Sequence, residues 1–159
     1  MNRVEQIDLI LTELGPAIDA SYIVKHDESN WSIVSSDNLI IDIFYAPEQH
    51  KLTLQCDLDK ALPQSPELYK MLLTYNCLWQ ETGGLRVALN SDNSLVQIFD
   101  LFIEELSLPD LITITQNFLE RANVWKEVIE DADLSQFDNE QHQVPKASYS
   151  NFQNLNQLA

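Results

Sequence analysis

The chain has 159 residues, of which 25 are Asp or Glu and nine are Lys or Arg, for a formal net charge of -16. Its length suits one domain with one core. An apolar fraction of 45% is too high for a disordered chain. The charge repels phosphate backbones and anionic lipid heads, which argues against nucleic acid and membrane surfaces as partners.

A capping box, Asn2-Arg3-Val4-Glu5, opens the first predicted helix. Val4, Ile7, Leu11 and Leu14 recur at helical spacing over residues 3–14, and Gly15-Pro16 is expected to stop it. Residues 21–25 read as either a short strand or an extended linker. Trp31 to Val34, Leu39 to Tyr45 and Lys51 to Asp57 read as three strands joined by the polar turns Ser35–Asn38 and Ala46–Gln49. In the last, Leu52, Leu54 and Cys56 alternate with polar residues, so one face is buried and the other wet or partner-facing.

Ser65-Pro66-Glu67 opens a second helix, with Ser as N-cap and Pro at the first position. Leu68, Tyr69, Met71, Leu72, Leu73, Tyr75, Leu78 and Trp79 cover nearly its whole circumference. Such a helix needs burial on more than one side. A second copy of the chain supplies this, or the monomer wraps the helix completely. Gly83-Gly84 ends the segment. Leu85, Val87 and Leu89 alternate with Arg86, Ala88 and Asn90 in a strand, Asn90–Asn93 turns the chain, and Ser94 to Ile103 is a strand apolar on both faces. A last helix starts at Leu108-Pro109-Asp110, with a buried stripe of Leu111, Ile114, Phe118, Ala122, Trp125 and Ile129. After Asp131 the chain turns polar, and residues 132–159 are expected to be a mobile tail in which Phe137, Tyr149, Phe152, Leu155 and Leu158 are scattered.

The residues offer no catalytic constellation. His26, His50 and His142 have no partner at metal or triad spacing. Cys56 and Cys77 lie in apolar runs without a nearby base or a CxxC spacing, so both read as buried free thiols. Asp57 and Asp59 lack the spaced oxygen ligands and Gly turn of a cation loop. No cofactor is expected, and an enzyme would need titratable groups that converge only in space. With no early signal segment and no long apolar run, a cytosolic location is expected.

The order is therefore helix, three-strand antiparallel meander, helix, two-strand hairpin, helix: an α+β domain over residues 1–131. Within it, Leu72-Leu73-Thr74-Tyr75-Asn76-Cys77-Leu78-Trp79, followed by Gly83-Gly84, resembles the class I chaperones of bacterial type III secretion, the Tir-chaperone-like family. Trp125 near the end of the last helix fits the same resemblance. It implies an acidic cytoplasmic homodimer that holds the N-terminal segment of a secreted effector extended and export-competent. Some relatives instead sequester a small regulatory protein and couple export to transcription. On this reading Met71, Leu72, Tyr75, Trp79, Leu85 and Val87 form the dimer interface. Leu9, Ile33, Ile40 and Phe44 meet the partner segment.

Overall fold

The computed structural model describes residues 2–59 and 65–139. Helix α1 spans Arg3–Ala17, and strands β1 (Tyr22–Lys25), β2 (Asn30–Val34), β3 (Ile40–Ala46) and β4 (Lys51–Asp59) follow. Then come α2 (Pro66–Cys77), β5 (Arg86–Leu89), β6 (Leu95–Phe102) and α3 (Leu108–Asn139). The six strands form one antiparallel sheet in the order β1-β2-β3-β4-β6-β5. The α+β class and the order of elements stand. The ambiguous segment at residues 21–25 is strand, so the meander has four strands where three were expected.

Helix α1 begins as its sequence dictates. The Asn2 side chain accepts the Glu5 N–H at 2.9 Å, and the Glu5 carboxylate accepts the Asn2 N–H at 2.8 Å. Its end corrects the expectation. Gly15-Pro16 does not stop the helix, which continues to Ala17. Asp19 stops it, in the left-handed region at φ 53°. The Ala20 N–H bonds the Gly15 carbonyl and the Asp19 N–H the Pro16 carbonyl, the paired bonds that close a helix around a left-handed residue. Gly15 serves another purpose: a Cβ there would lie 2.7 Å from Cδ1 of Ile23, so its bare Cα lets α1 close on β1.

Alternation puts one set of strand residues under the helices. Cross-strand register aligns Ile41, Cys56, Gln97 and Val87 in one row, and Tyr45, Leu52 and Leu101 in another. All are buried, together with Trp31 and Ile33 of β2 and Ile7, Leu11 and Leu14 of α1. Helices α1 and α3 cover this face and touch each other. The α3 stripe is buried at Leu111, Phe118, Ala122, Trp125 and Ile129, while Ile114 is half-buried and Thr115 takes the inner position. The helix runs past Asp131, so the expected boundary of the tail is set too early. Phe137 lies on its last turns, and Tyr149, Phe152, Leu155, Leu158 and His142 fall outside the described residues.

Among the described residues no helix is long and apolar enough to cross a membrane, and no cluster of His, Cys, Asp or Glu could hold a metal ion. Cys56 is buried, and burial pushes its thiol up to about 12. Cys77 is exposed on α2, against the expectation of two buried thiols.

Candidate interaction surfaces

Two surfaces come out of this architecture, one at each edge of the sheet. At one edge lies β1. The His26 N–H bonds the Asn30 carbonyl, and the Tyr45 N–H bonds the Ser29 carbonyl on the other side of β2. Bonded positions alternate in antiparallel pairs. Tyr22, Val24 and His26 therefore aim their backbone groups at β2, and Ile23 and Lys25 present theirs to the open edge. Tyr22 is 66% and Val24 44% exposed, so apolar side chains flank this row, which no strand among the described residues pairs.

A polar latch fixes α1 beside that edge. Asp8 accepts the Trp31 indole N–H at 2.7 Å and pairs with Lys25 of β1. The Lys25 hydrogen bond and the Trp31 N–H hold the Asp8 carboxyl below its usual value against the opposing effect of burial. One acid of the helix thus ties the first two strands to it. On the outward face, the His26 ring nitrogen lies 2.7 Å from the Ser32 hydroxyl, which donates to Asp42 at 2.6 Å. Since the hydroxyl proton goes to Asp42, the ring nitrogen donates to Ser32.

At the other edge α2 covers β5. The Asn76 amide donates to the Val87 carbonyl at 2.7 Å and accepts the Val87 N–H at 2.9 Å. One side chain thus completes the edge strand as a neighbouring strand would. The Thr82 hydroxyl donates to the Leu85 carbonyl at 3.2 Å. These contacts explain the Asn76 to Gly84 segment: the amide latches the strand, and Gly83 and Gly84, at φ 65° and 93°, make the bend that brings the chain back. Replacing Asn76 by alanine leaves both Val87 groups without this partner. A loss of about 1–3 kcal/mol is expected in urea unfolding, along with greater self-association through the uncovered edge.

The expected interface residues divide. Leu72, Tyr75, Leu85 and Val87 are buried in the protomer's own core: Leu72 and Tyr75 lie on the inner side of α2, and Val87 on the inner face of β5 beside Gln97. Tyr75 stands edge-on to Trp125 with ring centroids 4.9 Å apart. Met71 is half-buried, and Trp79 is 60% exposed. The outward face of α2 carries an open shallow groove lined by Pro66, Tyr69, Lys70, Leu73, Thr74 and Cys77, with Leu73 71% exposed. Leu73 and Tyr69 were visible in the sequence as apolar positions but could not be told from core without the phase of the helix. Of the four expected partner-binding residues, Leu9, Ile40 and Phe44 are exposed. Ile33 is fully buried, since it pairs with Ile41 on the inner face.

The outer face also holds one ionic knot. Asp100 accepts from Thr53 at 2.7 Å and lies 3.1 Å from Arg86 and 3.5 Å from Lys51. Burial raises its carboxyl, but the Thr53 hydroxyl and the Arg86 and Lys51 charges outweigh burial and hold it below the ordinary value. A depressed acid stabilises the fold above its unfolded value, near 4, and that contribution is lost as pH falls through the folded value. Asp100→Asn is therefore expected to lower stability at pH 7 and to flatten its decline below about pH 4, measured by urea unfolding across pH.

The Tir chaperone protein (CesT) family profile matches residues 10–126. No curated protein matches the sequence. Among solved structures, the ExsC-ExsE complex aligns with TM-score 0.68 at 16% identity, over 81% of this chain and 97% of that one. The HopA1-SchA chaperone-effector complex aligns with TM-score 0.64 at 16% identity, over 76% and 93%. The Yersinia pestis type III secretion chaperone SycH, in complex with a stable fragment of YscM2, aligns with TM-score 0.57 at 18% identity, over 72% and 94%. At these identities the likeness speaks for the fold, and the profile match over most of the sequence assigns the lineage: the chain belongs to the Tir chaperone protein (CesT) family.

Proposed function

We propose that the protein is a type III secretion chaperone that acts as a homodimer and binds the N-terminal segment of a secreted effector in extended form. The open β1 edge carries this reading. Among the described residues no strand pairs with the outer side of β1, so the backbone groups of Ile23 and Lys25 can pair with an added strand, and Tyr22, Val24, Ile40 and Phe44 offer apolar contacts on the adjoining face. Strand addition takes affinity from main-chain bonds and specificity from alternate side chains, which suits a client held unfolded. The acidic surface excludes anionic competitors, while apolar anchors supply the affinity. The second copy docks on the α2 face, through Leu73, Tyr69 and Trp79 rather than through the core residues Leu72, Tyr75, Leu85 and Val87.

Capture of bound proteins from the native bacterium, followed by amide hydrogen exchange on the complex, tests this. The partner is expected to bind through roughly 50–100 N-terminal residues, the scale of coupled folding interfaces. Exchange at Ile23 and Lys25 is expected to slow by at least tenfold, with little change at Tyr22 and Val24. A captured partner that leaves Ile23 and Lys25 unprotected refutes strand addition. Capture of a transcription-control protein in place of an export substrate assigns the chain to the sequestering role instead.

A further inference from the structure

The edge strand β1 is short, and both its ends carry charge of one sign. Asp19 precedes the strand and Asp27 and Glu28 follow it, all three exposed. Asp27 accepts the Ser29 N–H at 2.7 Å and the Asn30 side-chain amide at 2.7 Å. Both donors are neutral, so the turn keeps its negative charge. Between Asp19 and Asn30 the sequence has one Lys or Arg, Lys25. Its ammonium is turned to the inner side of the sheet, paired with Asp8 and 5.5 Å from the centroid of the Trp31 ring. The one cation of the strand is thus matched by an acid of α1, and it does not offset the acids at either end.

The middle of the edge is apolar. A strand added there continues the pleat, so its side chains fall alternately beside Tyr22 and Val24 on the outer face and beside Ile23 and Lys25 on the inner one. Tyr22 is followed across the sheet by Val34 and Ile40, so the outer positions of the added strand extend an apolar row. On the inner side, Gly15 of α1 lies against Ile23 and Asp8 against Lys25, and a small side chain with a hydroxyl or amide suits the position beside that ion pair.

Charge decides between occupants. Two β1 strands paired antiparallel about Ile23 set Asp19 of each copy near Asp27 of the other, and pairing about Lys25 sets the two lysines together. Each copy also carries a net charge of -16. Like charges set opposite each other weaken a strand pair, and charges on an edge are a means of preventing self-pairing. The complementary occupant has an apolar centre and a cation at each end. Asp19 and Asp27 are up to roughly 25 Å apart along extended chain, which sets the spacing of those cations at about eight residues.

We propose that the segment received at β1 is a strand with apolar residues at alternate positions and Lys or Arg at both ends, and that Asp19, Asp27 and Glu28 select it. This rests on the chaperone reading and names the chemistry of the client at that site. Main-chain bonds and the apolar row hold the strand. The acids at the rim govern which segment arrives and in what register, since charge complementarity acts on specificity and association rate.

Two synthetic peptides with one core test this on the full chain: Lys-Lys-Val-Thr-Val-Thr-Val-Lys-Lys, and its counterpart with Glu in place of every Lys. The lysine peptide is expected to slow amide exchange at Ile23 and Lys25 and to bind about tenfold more tightly than the glutamate peptide at low salt, with the gap narrowing several-fold as salt screens the rim. Asp19→Asn combined with Asp27→Asn and Glu28→Gln is expected to reduce the preference several-fold. These changes keep the shape, because Asn tolerates the left-handed backbone at position 19 and retains an acceptor oxygen for the turn at position 27. Glu120→Gln combined with Glu127→Gln and Glu130→Gln makes the same change of charge at exposed positions of α3. That variant is expected to keep the wild-type preference, which separates the edge from the overall charge. Equal binding of the two peptides, no binding of either, exchange unchanged at Ile23 and Lys25, or equal loss in both triple variants overturns the proposal. The peptides need no client, so the two readings fail separately. A captured effector that protects Ile23 and Lys25 while the peptides show no preference sinks the charge rule alone, whereas a captured partner that leaves both amides unprotected sinks the chaperone reading whatever the peptides do.

Discussion

Leu73→Glu combined with Trp79→Glu is expected to convert the protein to a stable monomer of 18.3 kDa by light scattering at micromolar concentration. Both side chains are mostly exposed on the isolated protomer, so charging them costs the monomer fold little; exposed substitutions usually change stability by less than about 0.5 kcal/mol. In a dimer that buries the α2 face, two carboxylates per protomer enter an apolar contact without counter-charges and face their symmetry mates across the two-fold axis. Desolvating an unpaired charge is expensive enough to abolish association. Melting by circular dichroism separates this from damage to the fold. The double variant should keep a cooperative transition, whereas Tyr75→Asp, which places a charge in the protomer core, should lose it. A wild-type protein that is already monomeric, or a double variant that keeps the wild-type mass, refutes the α2 interface.

The contrast between Trp79 and Tyr75 shows how far the sequence could be read. Caps and turns were legible because their chemistry is local. The Asn2–Glu5 box, the Ser65 cap, which accepts the Leu68 N–H at 3.2 Å, and the Asn90–Asn93 turn, with Asn93 at φ 65°, need only neighbouring residues. Phase was not legible where apolar residues surround a helix. On α2 nothing in the spacing distinguishes Leu72, buried under the sheet edge, from Leu73, which points to solvent. That choice is made by Asn76, whose two bonds to Val87 set the rotation of the helix. The mechanical role of Asn76 is not local to its own segment, because its partner Val87 lies on β5. Likewise the short strand around Ile33 does not reveal which way that side chain faces, and pairing with Ile41 turns it inward. Pro16 misled for a related reason. Pro16 forfeits one intrahelical bond, to the Thr12 carbonyl, without ending the helix, and Asp19, an unremarkable residue in the sequence, supplies the left-handed stop.

Trp125→Ala is expected to be the most destabilising single change, at about 3–5 kcal/mol, a large share of the roughly 5–15 kcal/mol that holds a domain together. Trp125 is fully buried where α3 meets α2, edge-on to Tyr75. Its removal opens a cavity between two helices whose other sides are engaged, with α3 against β4 and α2 latched to β5, so the gap cannot close by a simple shift. The loss should appear as a lower urea midpoint with an unchanged slope. Tyr75→Phe provides the control. Among the described residues the Tyr75 hydroxyl is buried without a hydrogen-bond partner, and burial, opposed by the nearby Arg121 charge, raises its ionisation above the ordinary value. Deleting an unsatisfied buried hydroxyl while keeping the ring preserves the aromatic contact and removes a desolvation penalty. Tyr75→Phe should therefore match or exceed the wild type in stability. If Tyr75→Phe proved as damaging as Trp125→Ala, the contact between α2 and α3 would owe its strength to that hydroxyl rather than to the packing of the two rings.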